Sequence, residues 1–170
     1  MVTEVLGEDP LEQDPQEQDP QALAMFAWAR LWSPLTDTAM RAAVWSALGL
    51  PGCFEDLAVD YWSAFHGPSP AVSLLLHAAL GRDGAAVRED WLRVMDHLEL
   101  EWQDARLPPD QLGVACEVFA CTIDAGEPVL QRELRARYLL PWCTVALASL
   151  PPESPLAAVV GVFRDDLAAL

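Results

Sequence analysis

The chain has 170 residues, of which 52% are apolar, and this is enough to bury one substantial hydrophobic core. Its 26 acidic and 10 basic residues give a formal net charge of −16, and every basic residue is an arginine because the sequence contains no lysine. This charge disfavours nucleic acid or an anionic membrane as a partner, since both bind through phosphate neutralised by Lys or Arg, and it favours a positively charged peptide or protein.

The first 21 residues are predicted to form a disordered, acidic, proline-rich tail. Residues 1–20 carry seven acids and no base, and three crude repeats end at Pro10, Pro15 and Pro20. Proline every five residues prevents a continuous helix, and the few apolar side chains cannot offset the entropy of an ordered chain. A solubilising role is favoured for this tail over recruitment of a partner. The predicted folded domain is residues 22–170.

From residue 22 onward the apolar residues recur at helical spacing, and no segment shows the alternating pattern of a strand. The first five predicted helices cover residues 22–32, a segment from the N-cap candidates Thr36 or Asp37 to Gly49, and residues 54–65, 72–80 and 85–102. The next begins with an N-cap at Asp110 and runs to about residue 123, and the one after it starts near Pro128 and is ended or kinked by Pro141. A last helix runs from Ser154-Pro155 to about residue 167. The fold class is therefore all-α, a single globular domain of eight or nine short-looped helices.

The seven tryptophans divide into two predicted groups. Five fall on apolar stripes of the helices and are expected in the core: Trp28, Trp45, Trp62, Trp91 and Trp102. Trp32 and Trp142 stand at helix ends beside prolines, and these two are the better candidates for lining a groove.

The sequence contains no recognisable catalytic or metal-binding constellation. Its histidines His66, His77 and His97 are isolated, and they are interpreted as core or surface residues rather than metal ligands. No glycine-rich phosphate loop is present, and the acidic pairs sit where a solvated helix face is expected. We therefore expect no enzymatic activity, no cofactor and no metal.

The cysteines and the hydropathy indicate a soluble, cytoplasmic protein. Cys53, Cys116, Cys121 and Cys143 form no CxxC pair, residues 1–21 lack the apolar stretch of a signal peptide, and reduced thiols are expected. No apolar run approaches the roughly 18 residues that cross a bilayer, because residues 71–80 contain a histidine and a glycine follows them. Membrane insertion is therefore not expected.

Three motifs occur in a fixed order along the chain. Tyr61-x-x-x-Phe65-x-Gly67-Pro68 comes first, then Pro108-Pro109-Asp110-Gln111-Leu112-Gly113-Val114-Ala115-Cys116-Glu117-Val118-Phe119, and then Tyr138-Leu139-Leu140-Pro141-Trp142. With the succession of helices over residues 22–168, this set resembles the TorD/DmsD/NarJ family. These are cytoplasmic chaperones that mature molybdenum enzymes of the dimethyl sulfoxide reductase type. The segment Val72-Ser73-Leu74-Leu75-Leu76-His77 is most similar to chaperones of the type II enzymes of that class.

The chain departs from the family pattern at four places. The family commonly has a histidine where Gln111 stands, an acid where Ala115 stands, and a histidine at the position of Tyr138. The loop after Gly67-Pro68 is short and lacks the aromatic residue that some members carry. These departures affect binding that depends on histidine and leave the expected TorD-like fold standing.

The resemblance implies a chaperone that binds the catalytic subunit of a molybdoenzyme through its signal peptide or N-terminal segment. Binding would assist cofactor insertion before assembly or twin-arginine export. The implied partner-binding residues are Asp110, Gln111, Glu117, Tyr61, Phe65, Gly67, Pro68, Tyr138, Pro141 and Trp142. Such a peptide is basic and then apolar, which complements an acidic protein with a proline-bordered groove.

Each of these residues has a plainer alternative. Asp110 is expected to cap a helix, to bind a partner arginine, or to do both. Gln111 could bind a peptide backbone or simply be exposed, and Glu117 could extend an acidic strip or be an ordinary solvated acid. The same choice applies to four further residues, for which packing is favoured over direct peptide contact: Tyr61, Phe65, Pro141 and Trp142. Packing that defines the groove would still matter to function.

Two other functions compete with the chaperone hypothesis. One is a helical nucleotide- or cofactor-binding switch or enzyme, and the other is a helical scaffold without a client peptide. The oligomeric state is open between a monomer and a domain-swapped dimer, for which Leu150-Pro151-Pro152 would be a candidate hinge.

Overall fold

The computed structural model describes residues 18–102 and 106–170, and within these ranges the regular structure is helical apart from one isolated β-bridge. The helices are α1 (Pro20–Trp32), α2 (Thr38–Ala47), α3 (Phe54–Tyr61), α4 (Leu76–Ala79), α5 (Gly84–His97), α6 (Leu112–Asp124), α7 (Pro128–Leu134), α8 (Leu140–Ser149) and α9 (Pro155–Ala169). Two π-helical turns continue α3 and α7, namely π1 (Trp62–His66) and π2 (Arg135–Leu139). The predicted all-α single domain is confirmed.

Short polar side chains set the first turns of several helices. Asp37 and Ser154 accept hydrogen bonds from the backbone N–H groups of Met40 and Leu156, as the sequence predicts for N-caps. Asp19 does the same for Gln21, so that α1 begins at Pro20 and residues 20–21 belong to the helix rather than to the tail. The rest of the predicted tail, residues 1–17, lies outside the described residues.

The fourth and fifth predicted helices are shorter than expected. Residues 72–75 are not helical, because Leu75 forms an antiparallel bridge with Gln111, and α4 spans only Leu76–Ala79. The fifth helix ends at His97, since Glu99 adopts a left-handed backbone conformation with φ of 56° that a helix cannot contain. Trp102 therefore lies beyond the helix, and 41% of it is exposed.

Pro141 explains why the chain passes through a π-helical turn before α8. Proline has no N–H, and inside a regular helix its ring collides with the carbonyl four residues back. Just before it, the N–H of Leu140 donates to the carbonyl of Arg135, five residues back, so that π2 widens the helix ahead of Pro141. The predicted kink is thus a change of helix type, with Pro141 in the first turn of α8.

The core is built around α1 and α6 and contains a cluster of aromatic rings that pack against one another. The ring centroid of Trp32 lies 5.8 Å from that of Trp28, 5.3 Å from Phe65, 5.3 Å from Trp142 and 5.6 Å from Phe163. Trp32 and Trp142 are fully buried, which corrects the prediction that they line a groove. The predicted burial is confirmed for Trp28, Trp45 and Trp91 and is wrong for Trp62 and Trp102.

The four thiols are free, and Cys116 and Cys143 are buried in the core. Burial raises the pKa of both thiols, that of Cys143 to about 12, so neither is a reactive thiolate at neutral pH. Over the described ranges, no helix has both the length and the apolar character that crossing a membrane requires.

Candidate functional site

An isolated antiparallel bridge between Leu75 and Gln111 holds the Pro-Pro-Asp-Gln segment against the core. The N–H of Leu76 donates to the carbonyl of Asp110 at 2.9 Å, and the N–H of Leu112 donates to the carbonyl of Leu74 at 2.8 Å. This short bridge places Asp110 and Gln111 at the junction of α4, α5 and α6. Both side chains are buried.

Asp110 is paired with two basic side chains from elsewhere in the fold. Its Oδ2 lies 2.5 Å from His77 Nδ1 and accepts a bond from the His77 N–H at 3.2 Å, and its Oδ1 accepts one from Arg88 Nε at 3.0 Å. We call these three residues the Asp110 cluster. The prediction that Asp110 caps α6 is wrong, because its carboxylate is turned toward His77 and Arg88.

The Asp110 cluster keeps its carboxylate charged. Burial by itself would raise the pKa of Asp110, but hydrogen bonds from His77 and Arg88 outweigh burial and hold that pKa below its ordinary value. The carboxylate has no exposed surface, and in this conformation its oxygens already accept bonds from the protein. A partner arginine would have to displace Arg88 to reach it.

Gln111 is the residue that caps α6, and it also ties α6 to α1. Its Oε1 accepts a bond from the Val114 N–H at 3.1 Å, and its Nε2 donates to the carbonyl of Trp32 at 2.9 Å. Next to it, a Cβ on Gly113 would lie 2.8 Å from the backbone oxygen of Ala29, so only glycine permits this approach of the two helices. We call Trp32, Gln111 and Gly113 the α1–α6 joint.

The Tyr138 and Trp142 side chains also have internal partners. The hydroxyl of Tyr138 donates to Asp90 Oδ2 at 2.5 Å, and the indole N–H of Trp142 donates to the carbonyl of Ser73 at 2.9 Å. These bonds fasten π2 to α5 and α8 to the extended segment before α4. Pro141, between them, is partly buried.

The residues of the first motif divide between the core and the surface. Tyr61 is fully buried, and its hydroxyl donates to the carbonyl of Leu31, while Phe65 packs 5.3 Å from Trp32. Gly67 is partly buried, and Pro68 is exposed. Of the ten predicted partner-binding residues, Glu117 and Pro68 alone are largely exposed.

Glu117 lies on a groove between α5, the segment after it, and α6. The groove encloses about 220 Å³ and is lined by Met95, Leu100, Glu101, Trp102, Val114, Glu117, Val118 and Cys121. We call it the Glu117 groove. Its lining is mostly apolar, and its two carboxylates, Glu101 and Glu117, are exposed and make no ion pair with another described residue.

The lining of the Glu117 groove combines apolar side chains with carboxylates. An apolar groove with exposed acids at its margin can hold apolar side chains and attract a cation beside them. No cluster of three or more potential metal ligands occurs within residues 18–102 and 106–170. No protein-family model, curated protein or solved structure matches the chain.

Sequence reasoning missed His77 and Arg88 as partners of Asp110, Glu101 as a lining residue of the Glu117 groove, and Arg41 as a buried cation at the C-terminal end of α1. His77 and Arg88 lie 33 and 22 residues from Asp110, and nothing local in the sequence indicates that they meet. The burial of Arg41 could have been predicted, because Arg41 stands four residues before Trp45 and therefore on the same face of α2. The side chains of Arg41 and Trp45 are both buried.

Proposed function

We propose that the protein is a maturation chaperone that binds the signal peptide or N-terminal segment of a molybdoenzyme catalytic subunit. The observation that carries this proposal is the Glu117 groove, whose lining combines apolar side chains with two exposed carboxylates. A segment that is basic and then apolar matches that arrangement in both halves. The helical fold and the ordered motifs, which resemble those of the TorD/DmsD/NarJ family, add support.

In this proposal most residues of the three motifs act by stabilising the fold rather than by touching the client. The Asp110 cluster and the α1–α6 joint fix the start of α6, and α6 carries Val114, Glu117 and Cys121 into the groove. The motif thus contributes to binding through position, and Glu117 is the member that would touch a client. Field effects of the −16 charge would speed the encounter with a basic segment.

The test is calorimetric titration of the full chain with the N-terminal peptide of a co-expressed molybdenum oxidoreductase, and with its apo catalytic subunit. We expect binding that weakens with added salt. Glu117→Gln should weaken it about fivefold, the value of one partly exposed ion pair. Val114→Arg, which puts a bulky cation into the apolar lining, should reduce it further.

Two controls separate a surface role from a structural one. Asp124→Asn removes an exposed acid from the same helix, outside the groove lining, and should leave the affinity unchanged. Asp110→Asn should lower stability while the folded fraction keeps its affinity, because Asp110 is buried. Absence of binding to both peptide and apo-subunit would refute the chaperone proposal, and a weakened Asp110→Asn variant would place the site at Asp110 instead.

A further inference from the structure

Arg41 is a fully buried cation that pairs with no carboxylate of the described residues. Its Nε donates to the carbonyl of Leu31 at 3.3 Å and its Nη2 to the carbonyl of Ser33 at 2.6 Å, at the C-terminal end of α1. No ion pair joins it to an acid within the described ranges, although the chain is strongly acidic. Burying an unpaired charge is costly, and backbone carbonyls offset only part of that cost.

One end of the guanidinium has no hydrogen-bond partner in the part of the chain that the structure describes. Nη1 of Arg41 is buried and makes no hydrogen bond to any described residue. Since this nitrogen carries two N–H groups, two donors are left for a ligand. Buried donors are normally satisfied, so this orphaned nitrogen indicates where an acceptor would bind.

Three aromatic rings surround the guanidinium, and one of them reaches the surface. The Arg41 Cζ atom lies 5.7 Å from the ring centroid of Phe54, 5.3 Å from that of Tyr61 and 4.8 Å from that of Trp62. Phe54 and Tyr61 are buried, whereas 36% of Trp62 is exposed. Of the three rings beside Arg41, the Trp62 indole is thus the one that reaches solvent.

Trp62 lies on a π-helical turn, which is an unusual backbone conformation. Trp62 begins π1, and its ring packs 4.4 Å from that of His66, the last residue of the same turn. π-Helical turns are rare and occur frequently at functional sites. His66 Nε2 lies 3.4 Å from the Tyr61 hydroxyl, so that an imidazole and a phenol stand beside Arg41.

His66 adds no positive charge beside Arg41 at neutral pH. Burial and the nearby Arg41 charge lower the pKa of His66 to about 4, so the imidazole is neutral at pH 7. A bound anion would oppose the effect of Arg41 and raise that pKa toward its ordinary value. This gives the site a spectroscopic signature.

We propose that Arg41 is the anchor of a site for a small oxyanion, a carboxylate or a phosphate, and that Trp62 covers it. The anion accepts a hydrogen bond from an N–H of Nη1 after the Trp62 side chain rotates outward. Arginine suits this role because its guanidinium stays charged when buried and makes strong charge-assisted hydrogen bonds to carboxylate and phosphate oxygens. The site is separate from the Glu117 groove and does not depend on the chaperone proposal.

The test is a thermal-shift and NMR titration of the full chain with inorganic phosphate and with acetate, at an ionic strength held constant with sodium chloride. We expect a saturable rise in Tm and a rise in the pKa of His66 with at least one of them. A larger response to phosphate assigns a phosphate ligand, and a larger response to acetate assigns a carboxylate.

Two variants decide the assignment to Arg41. Trp62→Ala opens the cover and should bind the anion about tenfold more tightly, because the competent conformer is no longer rare. Arg41→Met should abolish binding, and Arg30→Met, which removes an exposed arginine, should not change it. If Arg41→Met fails to fold, Trp62→Ala still decides, since absence of saturable binding in that variant overturns the proposal. Binding that persists in a folded Arg41→Met protein overturns it as well.

Discussion

Asp110 shows how one buried carboxylate can hold three elements together. Its oxygens accept hydrogen bonds from His77 at the start of α4 and from Arg88 on α5, while its backbone carbonyl belongs to the bridge that leads into α6. The side-chain bonds depend on the carboxylate charge, whereas the bridge depends on the backbone alone. A substitution that removes the charge therefore tests the side-chain bonds and leaves the backbone bridge in place.

Asp110→Asn should lower the free energy of unfolding by about 1–2 kcal/mol at pH 7, as expected for charge-assisted bonds to a partly exposed arginine. Because the pKa of Asp110 is depressed in the folded protein, its contribution is present above the ordinary pKa and is lost as the pH falls through the folded value. The difference between variant and wild type should thus shrink below about pH 4. Urea denaturation followed by circular dichroism at several pH values measures it.

The matched comparison for Asp110 is Asp124→Asn, at an exposed position of α6. That variant should change the free energy of unfolding by less than about 0.5 kcal/mol, since an exposed acid lacks such partners. If the two variants lose the same stability, the Asp110 cluster contributes nothing beyond surface charge.

At the level of elements, the close approach of α1 and α6 determines the architecture. The Gln111 side chain donates to the carbonyl of Trp32, the last residue of α1, and accepts from the N–H of Val114 in the first turn of α6. Gly113 has no side chain to hold the two helices apart. The Trp32 ring then reaches the aromatic cluster from α1. A side chain as small as a methyl group at position 113 should disturb this packing.

Gly113→Ala should lower the free energy of unfolding by about 1–3 kcal/mol, the usual cost of overpacking a core. The added Cβ would meet the backbone oxygen of Ala29 at 2.8 Å, and backbone cannot move aside as a flexible side chain can. Gly161→Ala on α9 is the control, because its Cβ meets nothing within 4 Å. That variant should gain up to about 1 kcal/mol from helix propensity, and a loss at both positions would contradict the explanation.

The sequence predicted the elements better than their partners. Helix starts at Asp37 and Ser154 were predictable because a cap and its N–H group are neighbours in the chain. The sequence predicts Asp110 as the cap of α6, whereas Gln111 is the cap in the structure. The prediction fails because the Asp110 carboxylate accepts hydrogen bonds from His77 and Arg88 instead. Local patterns carry no information on such distant pairs.

The site was predicted less well for the same reason. Trp142 looked like a groove residue from its neighbour Pro141, yet its indole bonds to Ser73, which is 69 residues away. The exposure of Trp102 follows from the left-handed Glu99, a conformation that nothing in the apolar stripe indicates. Glu117 was identified correctly as a position on α6, and its groove required the partner segment after α5.

At the scale of the whole molecule, the dominant property is charge. A formal charge of −16 on 170 residues produces repulsion that opposes the compact state. The ion pairs of the described residues are mostly at the surface, where each contributes little. Screening by salt should therefore stabilise the protein.

Sodium chloride should raise Tm at pH 7 as its concentration increases from a low level, because it screens repulsion between the acids. Near the sequence pI of about 4.2 the net charge vanishes, and the same salt series should have little effect. Thermal denaturation at the two pH values makes the comparison. A rise of equal size at both would indicate a general salt effect instead of relief of repulsion.

The packing of Trp28 has a consequence for how the protein is made. Its indole N–H donates to Asp166, 138 residues later in the chain, and its ring packs 4.8 Å from that of Phe163. A ribosome releases α1 long before it has synthesised α9. The ring of Trp28 therefore cannot complete its packing until α9 has been synthesised, so this part of the core forms only after residues far apart in the chain are both present.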